Sequence, residues 1–129
     1  MVSAAATRPR RRFRIVGATL ALWVVVALGA AGCSSSPEVP LGPDGEPDPE
    51  LVLGRDVYSA RCSNCHGSDG QGGRGPRLNE GASLSAYPEA SAMVDVIANG
   101  LNQGMPAFGD SLSSAEIDAV VAYIREVLN

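Results

Sequence analysis

Two cysteines and the only histidine of a 129-residue chain fall within five positions, in the stretch RCSNCHGSDGQGG from Arg61 to Gly73. The surrounding sequence makes that cluster decisive for folding. Residues 48–129 hold only four aromatic side chains, Tyr58, Tyr87, Phe108 and Tyr123, a thin core for a domain of a size that commonly needs a staple. A structural zinc site wants four Cys or His ligands, and beyond Cys62, Cys65 and His66 this region has none. A thioredoxin-like dithiol needs a βαβ context, which the pattern lacks, and a disulfide across so short a loop would staple little. Covalent attachment of a haem accounts for each residue. Two thiols at i and i+3 add to the two vinyl groups of the porphyrin, and a histidine at i+4 from the first shares their helical face and reaches the iron. The haem then supplies the apolar plate around which a few helices pack.

The first third of the chain has another character. Arg8, Arg10, Arg11, Arg12 and Arg14 form a basic head, and Ile15 to Ala31 follow without a charge, the pattern of a secretory signal. The run ends in AAGC, Ala30 to Cys33, which resembles a bacterial lipoprotein cleavage box, although Ala30 stands where that box usually has Leu. The resemblance implies acylation of Cys33, which becomes the mature N-terminus. An uncleaved anchor is the alternative, its 17 apolar residues falling just short of a bilayer span. In either case the arginines stay on the cytoplasmic side and the remainder lies outside. Removal of residues 1–32 leaves five Arg against 14 acids and a net charge of −9. Such a domain is not expected to bind nucleic acid, and its overall field suits a partner with a basic patch.

Residues 33–47 are rich in Pro, Gly, Ser and acids and read as a linker able to reach roughly 45 Å when extended. Asp48, Pro49 and Glu50 then supply an N-cap, a first-turn proline and a first-turn acid, opening a helix that leads into Cys62. Gly67 to Tyr87 read as a glycine-rich loop, Ser91 to Ala98 as a short helix, and the segment from Ser113 as a final helix opened by a capping box with Glu116. No convincing strand is found.

A haem iron held by His66 leaves one axial position, and this region has no second histidine and no lysine. A thioether is the natural donor, and Met93 and Met105 are the candidates. Met93 lies on the apolar side of a helix, where a methionine is usually core. Met105 lies in NQGMPAFGD, stiffened by Pro106 and opened by Gly104.

With CxxCH at 62–66 and GMP at 104–106, residues 48–129 resemble the small class I bacterial cytochromes c. The resemblance implies an all-α fold of three or four short helices around one covalently bound haem c, with Met105 as the distal ligand, 39 residues after His66. GPRL at 75–78 resembles the family's Gly-Pro-x-Leu, which implies that the Pro76 carbonyl accepts the ring N–H of His66. Gly54 and Tyr58 resemble the positions at which the family's first helix crosses its last, where Tyr123 lies. Arg77 is placed either to neutralise a haem propionate or to stand exposed in its loop.

The implied function is transfer of single electrons between membrane redox complexes, a quinol-oxidising complex and a terminal oxidase or reductase, by a non-enzymatic carrier lipid-anchored on the extracytoplasmic side of a bacterial membrane. Two rivals stand beside it. One is a gas sensor or peroxidase-like protein with a labile Met105, for which Gln103 is the sole weak distal candidate. The other is a fixed haem subunit of a terminal oxidase.

Overall fold

The computed structural model describes residues 35–102 and 104–129; Cys33, the apolar run 15–31 and Gln103 lie outside the described residues. Among the described residues five α-helices follow one another: α1 (Pro49–Val57), α2 (Ser63–His66), α3 (Ala82–Ala86), α4 (Ala90–Asn99) and α5 (Ser114–Glu126). There is no strand among them, only the isolated bridges Leu41 with Pro47 and Leu101 with Met105. No described helix is long and apolar enough to cross a membrane.

The helix starts follow from their caps. The Asp48 carboxylate accepts from the Glu50 N–H at 2.8 Å, with Pro49 in the first turn where its missing N–H is no loss. Ser113 opens α5 reciprocally. Its hydroxyl accepts from the Glu116 N–H, and the Glu116 carboxylate accepts from the Ser113 N–H at 2.8 Å. That bond holds the Glu116 carboxyl below its ordinary range.

The core forms where α1 crosses α5. Ile117, Val120, Val121 and Ile124 recur on one face of α5 at helical spacing and are buried. At the crossing the backbones nearly touch, since a Cβ on Gly54 would run into the Ala119 carbonyl and lie 2.7 Å from its carbon. Tyr58 and Tyr123, both fully buried, pack there with ring centroids 5.6 Å apart. Each phenol reaches a backbone acceptor at 2.7 Å, Tyr58 the Gly67 carbonyl and Tyr123 the Pro37 carbonyl. Burial raises both phenols, Tyr123 to about 12.

Three expectations are corrected. The helix before Cys62 does not run on as one regular element: α1 ends at Val57 and a wider π-helical turn, Tyr58–Cys62, delivers Cys62 to α2. Such turns re-aim side chains where function needs it. The loop 67–87 contains α3, which follows Gly81 in the left-handed region (φ 77°) and seats the Ser83 hydroxyl against Asn129; its single large apolar residue, Leu84, gave no period to read. The segment 33–47 is also not a free linker where it is described. Val39 and Ser36 are buried, the Ser59 hydroxyl donates to Ser36 at 2.9 Å, and Glu38 pairs with Arg55 at 2.5 Å. Composition concealed this because the strap is held by the Pro37 carbonyl, two small side chains and one ion pair, each to a partner distant in the chain.

Candidate functional site

The π turn and α2 present Cys62, Cys65 and His66 to a single cavity of about 540 Å³, within the range of small-molecule sites. Ile97 and Met93 from α4, Ile124 from α5, and Met105 and Phe108 from the loop between those helices complete an apolar lining. Among the described residues no Asp or Glu borders it.

The His66 ring is fixed from two sides. Nδ1 lies 2.8 Å from the Pro76 carbonyl oxygen, an acceptor only, so Nδ1 carries the proton and the Nε2 lone pair is left for a metal. Gly75 backs the ring closely: a Cβ there would lie 2.7 Å from Cε1 and 2.9 Å from Nδ1. The strand of loop that supplies both residues is pinned to α2, since the Gly75 N–H donates to the Cys65 carbonyl at 2.9 Å and the Gly72 N–H to the His66 carbonyl at 2.7 Å. Glycine at 75 is therefore a steric requirement of the ring's position.

Cys62 and Cys65 are free thiols, both partly buried. Burial, with Cys65 adding to it, pushes the Cys62 thiol up to about 11, so it is held neutral at physiological pH. Among the described residues no three Cys, His, Asp or Glu side chains gather as a metal site.

Both candidate thioethers line the cavity. Met93 is 4% exposed and packed in the core on α4, whereas Met105 is partly buried on the loop that follows. That loop is built tightly: the Leu101 N–H donates to the Met105 carbonyl at 3.0 Å, and Gly100, at φ 71°, leaves no room for a Cβ beside it. Arg77 takes the second of its two expected roles. It pairs with Glu80 and does not line the cavity. Instead Arg61 and Arg74 line it, with Arg74 Nη2 3.3 Å from Cys65 Sγ. Sequence reading passed over these two because a lone arginine in a helix or a glycine-rich loop ordinarily faces solvent.

A covalently attached haem fits this arrangement. The cavity is apolar, two thiols and one imidazole with a free Nε2 stand at its wall, a thioether reaches it from another segment, and no described carboxylate obstructs it.

Comparison with known proteins points the same way. Residues 49–124 match the family described as cytochrome C oxidase, cbb3-type, subunit III. The cbb3-type cytochrome c oxidase subunit FixP of Azorhizobium caulinodans is 33% identical over 80 residues, covering 60% of this chain and 27% of the relative. Cytochrome c6 of Synechococcus sp. is 36% identical over 79 residues, covering 60% of this chain and 70% of the relative. The crystal structure of cytochrome cL from Hyphomicrobium denitrificans superposes with a TM-score of 0.55 at 29% identity, covering 60% of this chain and 47% of that one. This chain thus spans about a quarter of the FixP relative and about half of the cytochrome cL chain.

Proposed function

Because this chain belongs to the cytochrome c family described as cytochrome c oxidase, cbb3-type, subunit III, we propose that it is a monohaem electron carrier with His66 and Met105 as axial ligands and Cys62 and Cys65 as the covalent attachment points. The observation that carries the proposal is the convergence of an Nδ1-protonated His66, two free thiols and a loop-borne Met105 on one apolar cavity.

When bound, haem supplies reversible one-electron chemistry at iron. The chain's own residues set the conditions for it. Pro76 and Gly75 hold the imidazole in one tautomer and one orientation, which strengthens it as a donor. The lining is mostly apolar, which leaves few polar groups to reorganise when the charge changes. No general acid or base is required.

The leader supports an extracytoplasmic location with Cys33 as the lipidated end. The packed strap then alters the tether. With Ser36 buried, only about three residues, on the order of 10 Å, separate Cys33 from the folded domain. We therefore read the carrier as held close to the membrane rather than swinging across it, taking electrons from a quinol-oxidising complex and passing them to a terminal oxidase or reductase. The family match and the FixP likeness favour a second reading, a haem domain that serves within one oxidase.

The test is the visible spectrum of the dithionite-reduced protein with and without carbon monoxide. An unchanged spectrum supports a closed iron and electron transfer; a prompt shift at low gas concentration overturns it in favour of sensing or catalysis. Met105→Ala keeps the haem attached, opens the iron to carbon monoxide and lowers the potential by on the order of 0.1 V, a part of the range axial ligands span. Met93→Leu leaves both properties unchanged. The reverse pattern would transfer the ligand role to Met93.

A further inference from the structure

The loop that orients His66 is fixed at its two ends and unsupported between them. At one end the Gly75 N–H donates to the Cys65 carbonyl at 2.9 Å; at the other the Leu78 N–H donates to the Gly70 carbonyl at 2.7 Å. Pro76 has no N–H to give, and among the described residues neither Pro76 nor Arg77 makes a backbone–backbone hydrogen bond. The Arg77 side chain turns away to Glu80. The peptide whose oxygen lies 2.8 Å from His66 Nδ1 therefore takes its orientation from Gly75 and Leu78.

Leu78 has a further anchor, 51 residues away in the chain. Asn129, just beyond α5, sets its side-chain amide against the 78–83 segment and α5 at once. Nδ2 lies 3.1 Å from the Leu78 carbonyl oxygen, 3.0 Å from Ser83 Oγ and 2.6 Å from the Ile124 carbonyl oxygen, while Oδ1 accepts from the Gly81 N–H at 2.6 Å. The amide can sit only this way round, because a backbone N–H only donates and the two carbonyls only accept. Although Asn129 as a residue is exposed, its contacts with Ser83 and Ile124 are partly buried. One side chain thereby ties Leu78, whose own side chain lines the cavity, to the helix that also sends Ile124 into the cavity wall. The far end of the segment is held separately, by Arg125 donating to the Tyr87 and Pro88 carbonyls at 3.0 and 2.9 Å.

We propose that Asn129 is a positioning residue for His66: by clamping the Leu78 carbonyl to α5 it fixes the Pro76 carbonyl, and through it the donor strength of the imidazole. This rests on the haem reading above and deepens it with a residue that touches neither the cavity nor the histidine. The sign follows from the hydrogen bond. The more firmly Nδ1–H is accepted, the more basic the ring is as a metal ligand. Without the clamp the Pro76 peptide can swing, its hold on Nδ1–H weakens, and a poorer donor stabilises ferric iron less. Removing such an outer partner directly alters a metal site by about 10–100-fold; Asn129 acts through intervening peptides and leaves the Leu78–Gly70 bond in place, so its loss shifts the ferrous-to-ferric ratio at a fixed potential by roughly threefold, toward ferrous. A residue that only secured the end of α5 would lower the stability of the whole domain and leave His66 alone.

The test uses the full-length, haem-loaded protein and two neutral variants, Asn129→Ala and Asn129→Leu, the second of which keeps the bulk and loses the polar atoms. Hydrogen exchange is followed by NMR in the reduced protein at the His66 ring N–H, the Leu78 amide and the amides of α1, beside a spectroelectrochemical titration. Both variants are expected to speed exchange at the ring and at Leu78 roughly fivefold, the factor that loss of one hydrogen bond of ordinary net strength gives. The amides of α1 change less, and the titration moves threefold toward ferrous as above. Tyr123→Phe, which loosens the strap and not this loop, moves neither reading. Uniform acceleration through the domain, an unchanged ring N–H, an effect in Asn129→Ala alone, or equal acceleration at the ring in Tyr123→Phe overturns the proposal. The ring N–H can be read whether or not the iron is open, because carbon monoxide makes an open ferrous haem diamagnetic. A spectrum that shifts with the gas while Asn129 still governs the ring would overturn the carrier reading and keep the clamp.

Discussion

Replacing Gly54 by alanine sets two physical effects against each other, and the structure decides the sign. In a helix interior such as that of α1, Ala is favoured over Gly by roughly 0.5–1 kcal/mol, so helix propensity alone makes the variant more stable. The added methyl, however, would run into the Ala119 carbonyl oxygen and lie 2.7 Å from its carbon and 2.8 Å from Tyr123 Cβ. The carbonyl is helix backbone, which cannot rotate away. Restoring contact to an ordinary separation opens the crossing by roughly 1 Å, enough to forfeit a substantial part of the dispersion attraction across it. The loss falls on the best-packed place in the domain, where Tyr58, Ala119, Val120 and Tyr123 are all fully buried. Overpacking of this kind costs about 1–3 kcal/mol, and rigid backbone places it at the upper end. The net expectation is a loss of about 2 kcal/mol, or roughly 8–16 °C in melting temperature for a domain of this size. Thermal unfolding of the haem-loaded variant beside the parent measures it, with the visible spectrum reporting whether the haem environment survives. A Gly54→Ala protein as stable as the parent, or more so, would refute the close crossing, because propensity would then be the only effect left.

Three further outcomes follow from the same geometry. Gly75→Ala drives a methyl against the His66 ring, 2.7 Å from Cε1; the lost Pro76 bond weakens the imidazole as a donor, so the reduction potential rises while the haem stays attached, as a spectroelectrochemical titration would show. Tyr123→Phe removes the donor to the Pro37 carbonyl, costing about 1 kcal/mol and raising hydrogen-exchange rates selectively in residues 36–39; uniform acceleration would count against a local strap. The buried Tyr123 phenol is raised by burial, against the opposing charge of Arg55, from 10.0 to about 12. The folded state therefore keeps the proton more tightly than the unfolded chain. Its contribution is whole below pH 10 and is lost as pH climbs to about 12. Denaturant midpoints should fall across that window in the parent and fall less steeply in Tyr123→Phe.

What the sequence disclosed depended on how local each signal was. The CxxCH cluster, the Asp48 and Ser113 caps and the α5 face each rest on residues a few positions apart, and each was legible. The Gly54 and Tyr58 crossing was reached only by family resemblance, because nothing in α1 announces that the Ala119 carbonyl will press against it. The strap from Ser36 to Val39 was missed for the converse reason: its anchors, Ser59, Arg55 and Tyr123, lie 17 to 86 residues away. Composition marks such a segment as unable to form its own core, and it says nothing of a core formed by others that the segment can cover.

Net charge misleads in a similar way. A sum of −9 is a property of the whole surface, but beyond a screening length of about 8–10 Å at physiological salt a partner feels chiefly the charges it touches. The acids of this domain are spread over the strap, α1, α4, α5 and the loops between the helices, and none borders the cavity among the described residues. Two arginines do, one on each of the segments that also position the cysteines. The two thiols and the two guanidiniums are thus neighbours on the wall of one cavity. The same short segments therefore carry both the thiols and the positive charge of that wall.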